Sequence, residues 1–461
     1  MADLRVKPEM LRYGNEMPEV KAFRFKRLIV ERARMLFGIL LKRLIHVGSI
    51  RLIDTNGREQ FFGNGENPRC TLRLHDKSLG TKLAFRPSLS IGEAFMDGGL
   101  TIEEGDLFDL LEIFARNLDD LEVNPVLSLI GRIRHHLAMS TSRDRAKTNV
   151  ANHYDLSGEL YDLFLDGDKQ YSCAYFLSPD DSLEEAQLNK KRHLAAKLYL
   201  NRPNLEILDV GSGWGGFGIY LATEAEADVT GITLSEEQYK ISNERAGHAN
   251  LGNRVRFHMH DYRQATGQYD RIVSVGMFEH VGRRSYPDYF RKICDLMRHD
   301  GVALVHSIGF IDQPGPINPF IRKYIFPGAE IPSLSEVFAA VEQTGLFVTD
   351  IEILHLHYAE TLRLWRERFL SNWSKVARLY DERFCRMWLF YLVLCEIGFR
   401  HRTMMVFQLQ LAKRTDTLPI TRDYITDWER AHQPMARRER EHDHFRAVDA
   451  PSKVARAQRI G

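Results

Sequence analysis

The sequence predicts an α/β fold: a parallel sheet with helices on both faces, preceded by a small α+β domain. From residue 205 onward, apolar strand-like runs alternate with segments of helical periodicity, which is typical of such a sheet. The stretch LDVGSGWGGFG completes the first of these runs and indicates a Rossmann-like turn from strand to helix. Short strand-like runs before residue 130, bounded by turn residues, predict the separate N-terminal domain.

The N-terminal domain is predicted to cover residues 1–130. Within it, residues 21–46 have apolar side chains at helical spacing and eight Lys and Arg residues against a single Glu31, which predicts a basic amphipathic helix. SIRLIDTNG and CTLRLHD are predicted strands, and SIGEAFMDGGLTIEEGDLFDLLEIFARNL closes the domain with a helix. Residues 131–150 are polar and basic without an apolar period, so we interpret them as a linker.

The second domain is predicted to cover residues 151–415. Its six strand-like runs are 205–210, 227–232, 254–261, 269–276, 301–309 and 403–414. Residues 310–400 interrupt the alternation with helices and loops, and we expect them to form a helical lid over the carboxyl ends of the strands, where ligands bind. Residues 416–461 form a charged C-terminal tail, and its low apolar content from about residue 430 predicts disorder.

Composition excludes several classes of protein. The net charge of +1 argues against nucleic-acid binding. Five cysteines without a CxxC pair argue against a disulfide framework and a structural metal site, and fit a reducing cytosol. The N-terminus shows no signal-peptide core, and the longest apolar run, 387–399, is too short to span a bilayer and contains Glu396. We therefore expect a cytoplasmic protein that is soluble or peripheral to a membrane.

The glycine-rich turn predicts a nucleotide-type cofactor. Gly211, Gly213 and Gly216 satisfy GxGxxG, a pattern that also fits a plain tight turn or a dinucleotide site. Asp209 precedes the first glycine by two residues, where a carboxylate can stabilise the ammonium end of S-adenosylmethionine. The next strand ends in GITLSEEQ and lacks the acidic residue that dinucleotide enzymes use for the ribose diol. These two features favour S-adenosylmethionine.

Further polar residues follow the second and third strands of this domain. Thr233, Ser235 and Gln238 can supply polar contacts in place of the missing acid. Asp261 ends the third strand, where it can accept a hydrogen bond from an adenine amino group.

Glu279 and His306 belong to the fourth and fifth strands, so their side chains are predicted to meet near the cofactor. A helix cap explains Glu279 equally well, and a core position explains a histidine inside a strand. The preceding stretch 152–176 interleaves aromatic residues, which suits either a wall for an apolar cation or ordinary packing. Cys173 lies within it and by itself indicates packing.

Taken together, these blocks resemble the cyclopropane-fatty-acyl-phospholipid synthase family over residues 150–414. The N-terminal FGNG and SIGEAFMDGGLTIEEGDL are similar to the domain of the full-length bacterial members. The resemblance implies a seven-stranded Rossmann-like methyltransferase sheet. Its other blocks are HYDLSGELYDLFLD, YSCAYF, LDVGSGWGG, GITLSEEQ, RIVSVGMFEHVG, HSIG, KYIFPGAEIPS, HYAETLRLWRERF and RMWLFYLVLCEIGFR.

The resemblance implies a reaction in which the double bond of a lipid chain attacks the methyl group of S-adenosylmethionine. A carbocation results, and loss of a proton closes a cyclopropane ring. The implied base is bicarbonate, whose O–H donates to Glu279 while His306 and Tyr358, with a backbone N–H near Ile308, donate to it; His280 is then a structural neighbour. The resemblance also marks Cys395, for which packing is an equal explanation. The implied bicarbonate ligands are Cys173, Glu279, His306, Ile308 and Tyr358.

The resemblance implies most of the cofactor contacts that we expect, and Asp209 is added from its position before the glycine-rich turn. They are Tyr171, Ser172, Asp209, Gly211, Ser212, Gly213, Thr233, Leu234, Ser235, Gln238, Asp261 and Tyr262. No metal is expected. Residues 309–333, punctuated by Pro and Gly, suit either a mobile cover over the acyl chain or a plain loop.

The expected substrate is an unsaturated phospholipid, and the expected location is the inner face of the cytoplasmic membrane. The basic stretch 21–46 would bind the anionic bilayer reversibly, although a solvated face of a packed helix explains it equally well. A homodimer is left open. Three alternatives remain open: transfer of a methyl group to a lipid double bond without ring closure, a small-molecule N-methyltransferase, and a lipid-binding module without activity.

Overall fold

The structure is a computed structural model that describes residues 38–39, 41–122, 156–401 and 404–433. The described residues fall into two compact units: one ends at residue 122, and the other contains residues from 156 on, except that 318–320 group with the first. Most of the predicted amphipathic helix 21–46, the linker 131–150, and Tyr154 of the aromatic stretch lie outside the described residues. So does the chain from 434 on.

The first unit contains a four-stranded sheet in the order β2-β1-β3-β4. β1 and β3 are parallel, and the other pairs are antiparallel. Both predicted strands are present. The bounds are β1 Ser49–Ile53, β2 Glu59–Gly63, β3 Arg69–Leu74, β4 Leu100–Glu104, α1 Leu79–Phe85, α2 Pro87–Met96 and α3 Leu107–Glu122.

The predicted closing helix of this unit is wrong, because the segment forms α2, β4 and α3 in turn. Gly98 and Gly105 have φ angles of 74° and 77°, in the left-handed region that a helix interior cannot contain. The two glycines therefore divide the segment on either side of β4.

The second unit contains a seven-stranded sheet in the order β10-β11-β9-β8-β5-β6-β7. β5 to β9 are parallel, and β11 and β10 continue the sheet antiparallel at one edge. The strands are β5 Glu206–Val210, β6 Asp228–Thr233, β7 Val255–Met259, β8 Tyr269–Val275, β9 Met297–Phe310, β10 Phe347–Ile353 and β11 Met404–Ala412.

Helices cover both faces of this sheet, because successive side chains of each strand point to opposite faces. Ile207 and Val273 pack in one core with α5 and α6, whereas Leu208 and Ile272 pack in the other core with α8 and α10. The helices are α4 Gly158–Asp162, α5 Leu183–Lys197, α6 Gly216–Ala225, α7 Glu236–His248, α8 Tyr286–Leu296, α9 Pro319–Tyr324, α10 Leu334–Val341, α11 His355–Ser371, α12 Trp373–Leu379, α13 Glu382–Arg400 and α14 Asp423–Ala431.

Residues 310–400 are more than the helical lid that the sequence predicts. They contain β10, an edge strand of the sheet, and α10, whose Val337 and Val341 lie in a core. The sequence of β10, FVTDIEI, mixes polar and apolar residues, and its terminal Phe347 and Ile353 are exposed. An edge strand with so few buried side chains lacks the apolar run by which the other strands are identified.

The predicted tail also needs correction, since Asp423–Ala431 is a helix. Ile425 is buried, and Trp428 packs against the core that contains α5 and α6. Glu429 Oε1 lies 2.7 Å from His193 Nδ1 of α5. This part of the tail is therefore folded onto the sheet unit.

Helix α5 is polar in sequence and almost entirely buried. A capping box formed by Ser182 and Glu185 begins it, and the loop and strands around it supply partners for its polar side chains. The buried polar residues are Gln187, Asn189, Lys190, Arg192, His193 and Lys197. Among the described helices, none combines the length and apolar content needed to cross a bilayer.

Candidate active site

A cavity of about 700 Å³ opens at the carboxyl ends of β5, β6 and β8, the position that parallel α/β sheets use for ligands. All twelve residues that we expected to contact the cofactor line this cavity. They are Tyr171, Ser172, Asp209, Gly211, Ser212, Gly213, Thr233, Leu234, Ser235, Gln238, Asp261 and Tyr262.

The glycine-rich turn leaves no room for a side chain at the start of α6. A Cβ at Gly216 would collide with the carboxylate of Asp168, which pairs with Lys191 and Arg245. An anion therefore already lies beside the first residue of α6, near where a dinucleotide enzyme binds pyrophosphate. Because Lys191 and Arg245 balance its charge, Asp168 fills this space as part of a local ion-pair network.

Asp209 presents a buried carboxylate to the cavity. The residue is 2% exposed, and its Oδ2 has no hydrogen-bond partner among the described residues. Burial raises the pKa of Asp209 to about 7, although the nearby Lys190 lowers it. A cationic ligand group would both satisfy this oxygen and lower the pKa, so the site suits the ammonium end of S-adenosylmethionine.

The cavity residues after β6 are fixed by hydrogen bonds among themselves. Thr233 Oγ1 donates to Gln238 Oε1 at 2.7 Å, and Ser235 Oγ accepts from the backbone N–H of Gln238 at 3.3 Å. Leu234 is largely exposed and supplies an apolar wall. This side of the cavity is therefore ordered by its own contacts.

Asp261 occupies the predicted place after β7, but its carboxylate is already bound. It accepts from the backbone N–H of Arg263 at 2.9 Å and from Nε of the same residue at 3.0 Å. A carboxylate has about four acceptor sites, so an amino group can still bind beside Arg263.

Tyr171 and Ser172 form the wall between the cavity and a buried interior cluster. The hydroxyl of Tyr171 lies 2.8 Å from that of Tyr391, and its ring stacks on Trp365 at 5.1 Å between centroids. Ser172 Oγ accepts from Lys190 Nζ at 2.8 Å. Tyr171 is thus anchored by Tyr391, and Ser172 by Lys190, which also lines the cavity.

Four of the predicted catalytic residues lie behind this wall rather than on the cavity lining. Burial raises the pKa of Tyr358 well above its usual value, and the nearby Cys173, Cys395 and Glu279 raise it further. Cys173, Cys395 and Glu279 are therefore each close enough to Tyr358 to influence its ionisation. Cys395 is only partly buried as a residue, but burial of its thiol raises the pKa to about 12.

Glu279, a member of this cluster, lies in a short 3-10 turn, Phe278–His280, that follows β8. Its Oε1 accepts from the backbone N–H of Ile308 at 2.7 Å, and Oε2 has no hydrogen-bond partner among the described residues. Burial raises the pKa of Glu279. The backbone N–H of Ile308 is therefore directed to Glu279 in this structure, and the expected contact between bicarbonate and a backbone N–H near Ile308 stays a prediction.

His306 lies inside β9 and not at its end. It is 2% exposed, and burial, with the nearby Lys190 and Lys197, lowers its pKa to about 3. Gln408 Nε2 lies 3.3 Å from Nδ1. A neutral imidazole carries one N–H and one acceptor nitrogen, so His306 can donate one hydrogen bond and accept another.

Several cavity residues were not indicated by the sequence: Gln170, Lys190, Trp214, Met277, His280 and Phe326. His280, expected as a structural neighbour, is exposed at the cavity with its ring 6.3 Å from that of Phe326. Lys190 belongs to α5, whose polar sequence indicates a surface helix. Within the described residues, no cluster of His, Cys, Asp or Glu could hold a metal ion.

A model of the mycolic acid cyclopropane synthetase family matches residues 141–409. The chain belongs to this family. A second model, for a domain of unknown function, matches residues 41–124. The family predicted from the sequence is thus confirmed.

Relatives of the family match most of the chain. It is 36% identical over 359 residues to a probable fatty acid methyltransferase of Pseudomonas putida, covering 76% of this chain and 89% of the relative. It is 35% identical over 352 residues to the cyclopropane-fatty-acyl-phospholipid synthase of Escherichia coli K12, with the same two coverages.

Solved structures of the family share the fold. A cyclopropane synthase from Mycobacterium tuberculosis superposes with a TM-score of 0.55 at 33% identity, covering 57% of this chain and 96% of that one. A mycolic acid cyclopropane synthase complexed with SAH and CTAB gives a TM-score of 0.54 at the same identity and coverages. The predicted α/β methyltransferase fold is confirmed, and the chain is an S-adenosylmethionine-dependent methyltransferase of this family.

The cofactor site makes a prediction about Asp209. We expect the affinity for S-adenosylmethionine to fall by about tenfold for each pH unit below the pKa of this carboxyl, because protonation removes the charge that binds the ammonium group. The pKa lies at about 7. The substitution Asp209→Asn should weaken binding above pH 7 and remove this pH dependence.

Isothermal titration calorimetry between pH 6 and 8.5 checks the prediction, with the exposed Asp295→Asn as a matched control that binds as the wild type does. An Asp209→Asn variant that keeps the wild-type pH profile would contradict the assignment.

Proposed function

We propose that the enzyme transfers a methylene unit from S-adenosylmethionine to the cis double bond of an unsaturated phospholipid acyl chain and forms a cyclopropane ring, with bicarbonate as the base. The observation that carries the proposal is the buried cluster of Cys173, Glu279, Tyr358 and Cys395 directly behind the cofactor cavity. Methyl transfer to nitrogen or oxygen forms no carbocation that water could capture, whereas transfer to an alkene does and therefore requires a water-excluded site. The names of several relatives point to the same substrate class.

The residues of the cavity first have to align the reactants. When bound, the cofactor supplies an electrophilic methyl group, and an alkene is a poor nucleophile that reacts only when held in line with it. Tyr171 and Ser172 separate the cavity from the interior cluster and are anchored by Tyr391 and Lys190. This wall can hold the double bond beside the cofactor.

Aromatic rings line the region where positive charge develops on the lipid chain. The ring of Tyr358 lies 4.7 Å from Phe399 and 5.9 Å from Trp365, and Tyr171 stacks on Trp365. Ring faces attract a carbocation without bonding to it, and their packing excludes water that would capture it. The aromatic stretch predicted from the sequence supports this role.

The interior cluster has the donors and acceptors that a singly protonated oxyanion requires. Glu279 Oε2 is buried and unpartnered among the described residues, so it can accept the anion's O–H. Tyr358 stays protonated, and neutral His306 has one ring N–H, so both can donate. Bicarbonate, when bound there, would supply the base that removes a proton from the transferred carbon.

In this arrangement Ile308 acts through Glu279. Its N–H holds Oε1 and directs Oε2 to the remaining partner. We therefore assign to Ile308 the positioning of the carboxylate, where the resemblance implied a direct contact with bicarbonate.

Methyl transfer without ring closure is the second candidate function. The relative from Pseudomonas putida is named a probable fatty acid methyltransferase, and a relative from Mycobacterium tuberculosis a tuberculostearic acid methyltransferase. The two outcomes differ in the carbon from which the proton leaves. Retention of Cys173, Glu279, His306 and Tyr358 supports the cyclopropane product.

The lipid product tests the proposal. Expression in a bacterial host without cyclopropane lipids should add one methylene unit to unsaturated phospholipid chains, measured by mass spectrometry. Proton NMR should then show cyclopropane ring protons. A methylene or methyl-branched product supports the second candidate, and unchanged phospholipids in cells with active protein would contradict the proposal.

The substitution Glu279→Gln tests the role of the interior cluster. We expect a loss of at least about 100-fold in turnover, because the amide cannot orient the base as the carboxylate does. Cofactor affinity should be unchanged, since Glu279 lies outside the cavity lining. Turnover is measured with phospholipid vesicles and affinity by calorimetry.

The control for this substitution is Glu342→Gln, an exposed position at the end of α10. Full turnover by Glu279→Gln, or loss of cofactor binding without loss of turnover, would contradict the assigned role.

We further propose that the enzyme binds anionic membranes reversibly from the cytoplasmic side. The supporting residues, 21–46, lie mostly outside the described part of the chain, so their sequence is the support. Each Lys or Arg near an anionic surface contributes on the order of 1 kcal/mol. Changing Arg24, Lys26, Arg27 and Arg34 to Glu should therefore reduce co-sedimentation with anionic vesicles by more than about tenfold.

A charge-matched control changes four exposed basic residues elsewhere to Glu: Lys77, Lys240, Arg256 and Lys375. If both variants lose vesicle binding equally, net charge explains the result and the specific role of 21–46 is wrong. Unchanged binding by the first variant also contradicts the proposal.

A further inference from the structure

We propose that Lys190 is a positioning residue of the cofactor site: it holds the segment 170–172 in place and keeps the carboxylate of Asp209 ionised. The inference depends on the cofactor site of a methyltransferase and is independent of the lipid product. Neither the glycine-rich motif nor the residues implied by the resemblance include this lysine.

Lys190 is a buried cation on the lining of the cavity. It is 1% exposed, in the middle of α5, and its Nζ donates to Gln170 Oε1 at 2.7 Å and to Ser172 Oγ at 2.8 Å. A buried ammonium is expensive unless its donors are used, and these two bonds leave it one more donor to offer. A leucine or methionine would fill the same interior space at lower cost, so the charge itself requires an explanation.

The face of α5 that carries Lys190 also holds the backbone of the segment 170–172. Gln187 Nε2 donates to the carbonyl oxygens of Gln170 at 3.2 Å and Ser172 at 3.0 Å. Gln187 and Lys190 are one helical turn apart, so they contact the same side of the segment. The helix therefore fixes the main chain through Gln187 and the side chains through Lys190.

Besides Asp166 and Asp168, which stabilise the charged form of Lys190, Asp209 is an acidic group whose ionised form the ammonium favours. It lines the same cavity, its Oδ2 has no described partner, and Lys190 opposes the effect of burial on its pKa. Burial also lowers the pKa of Lys190 to about 8. Without the lysine, burial alone would favour a protonated Asp209, which cannot attract the ammonium group of the cofactor.

Other titratable groups also face this pair. Asp166 and Asp168 raise the pKa of Lys190, as does Cys173, whereas Lys191 lowers it. His306 is influenced by Lys190 but is itself neutral. Asp168 is compensated by Lys191 and Arg245, and Asp166 accepts backbone N–H groups of Asp168 and Gln170. Asp209 is the acidic group of this set that lines the cavity.

The segment that Lys190 holds joins two sites. Tyr171 and Ser172 line the cofactor cavity, and the next residue, Cys173, belongs to the interior cluster. A displacement of this segment would therefore disturb both sites together. Lys190 thus links the position of the cofactor to that of the groups behind it.

The test measures cofactor binding as a function of pH. Calorimetric titration with S-adenosylmethionine from pH 6 to 8.5 compares the wild type with Lys190→Met, Lys190→Gln and Lys190→Arg. For the two uncharged variants we expect the midpoint of the affinity profile to rise by about one pH unit or more. That shift weakens binding by about fivefold at pH 7 and by less at pH 8.5.

At each pH the dissociation constant of the variant is divided by that of the wild type. Ionisation of the cofactor's own groups affects both constants equally and cancels in this ratio. A purely structural role would give a ratio that does not depend on pH. Lys190→Gln keeps hydrogen-bond donors without the charge, and Lys190→Arg keeps the charge, so the former should shift the midpoint and the latter should restore it.

Lys197→Met is the matched control, because Lys197 is equally buried on α5 but pairs with Glu352 and Asp350, away from the cavity. It should lower the thermal midpoint without moving the pH midpoint. A pH-independent ratio for Lys190→Met and Lys190→Gln would overturn the proposal. Should both fail to fold, a wild-type profile without a midpoint near pH 7 would overturn it as well.

Discussion

The second unit depends on burying charged side chains of α5 against the sheet without leaving them unpaired. His193 lies between Glu352 and Glu429 at 2.7 Å on each side, and Lys197 pairs with Glu352. Burial lowers the pKa of His193, but its bonds to the two carboxylates raise it more. Each pair costs desolvation, and the structure offsets that cost with several short hydrogen bonds per charge.

Buried acidic side chains are also present at the cofactor cavity and at the interior cluster behind it. Asp209 and Glu279 each keep one buried carboxylate oxygen without a hydrogen-bond partner among the described residues, whereas His193 at the sheet edge contacts a carboxylate at both ring nitrogens. Among the buried atoms without a partner in the described residues, these two are the carboxylate oxygens, and an unpartnered buried carboxylate is especially costly. Asp209 lines the cofactor cavity, and Glu279 belongs to the cluster behind it, so a ligand at either site would offset that cost.

The sequence predicted residues that line one cavity, because most of them follow strand ends. The turn after β5 and the residues after β6 and β7 are adjacent in the chain, and the parallel sheet then brings them to one edge. The sequence could not indicate Lys190 or the fold of Asp423–Ala431, because polar residues at helical spacing look the same on a surface as in a paired interior. β10 was not predicted for a related reason, since an edge strand has few of the apolar residues by which strands are identified. The direction of the Ile308 N–H depends on the register between β8 and β9, which no local pattern contains.

The helix Asp423–Ala431 begins beyond residue 409, where the family match ends. A chain shortened to the family boundary would therefore lose Glu429 and leave one ring nitrogen of His193 facing a gap at the sheet edge. The end of the family match and the end of the folded unit therefore differ in this protein. A shortened version made for crystallisation should keep the helix Asp423–Ala431.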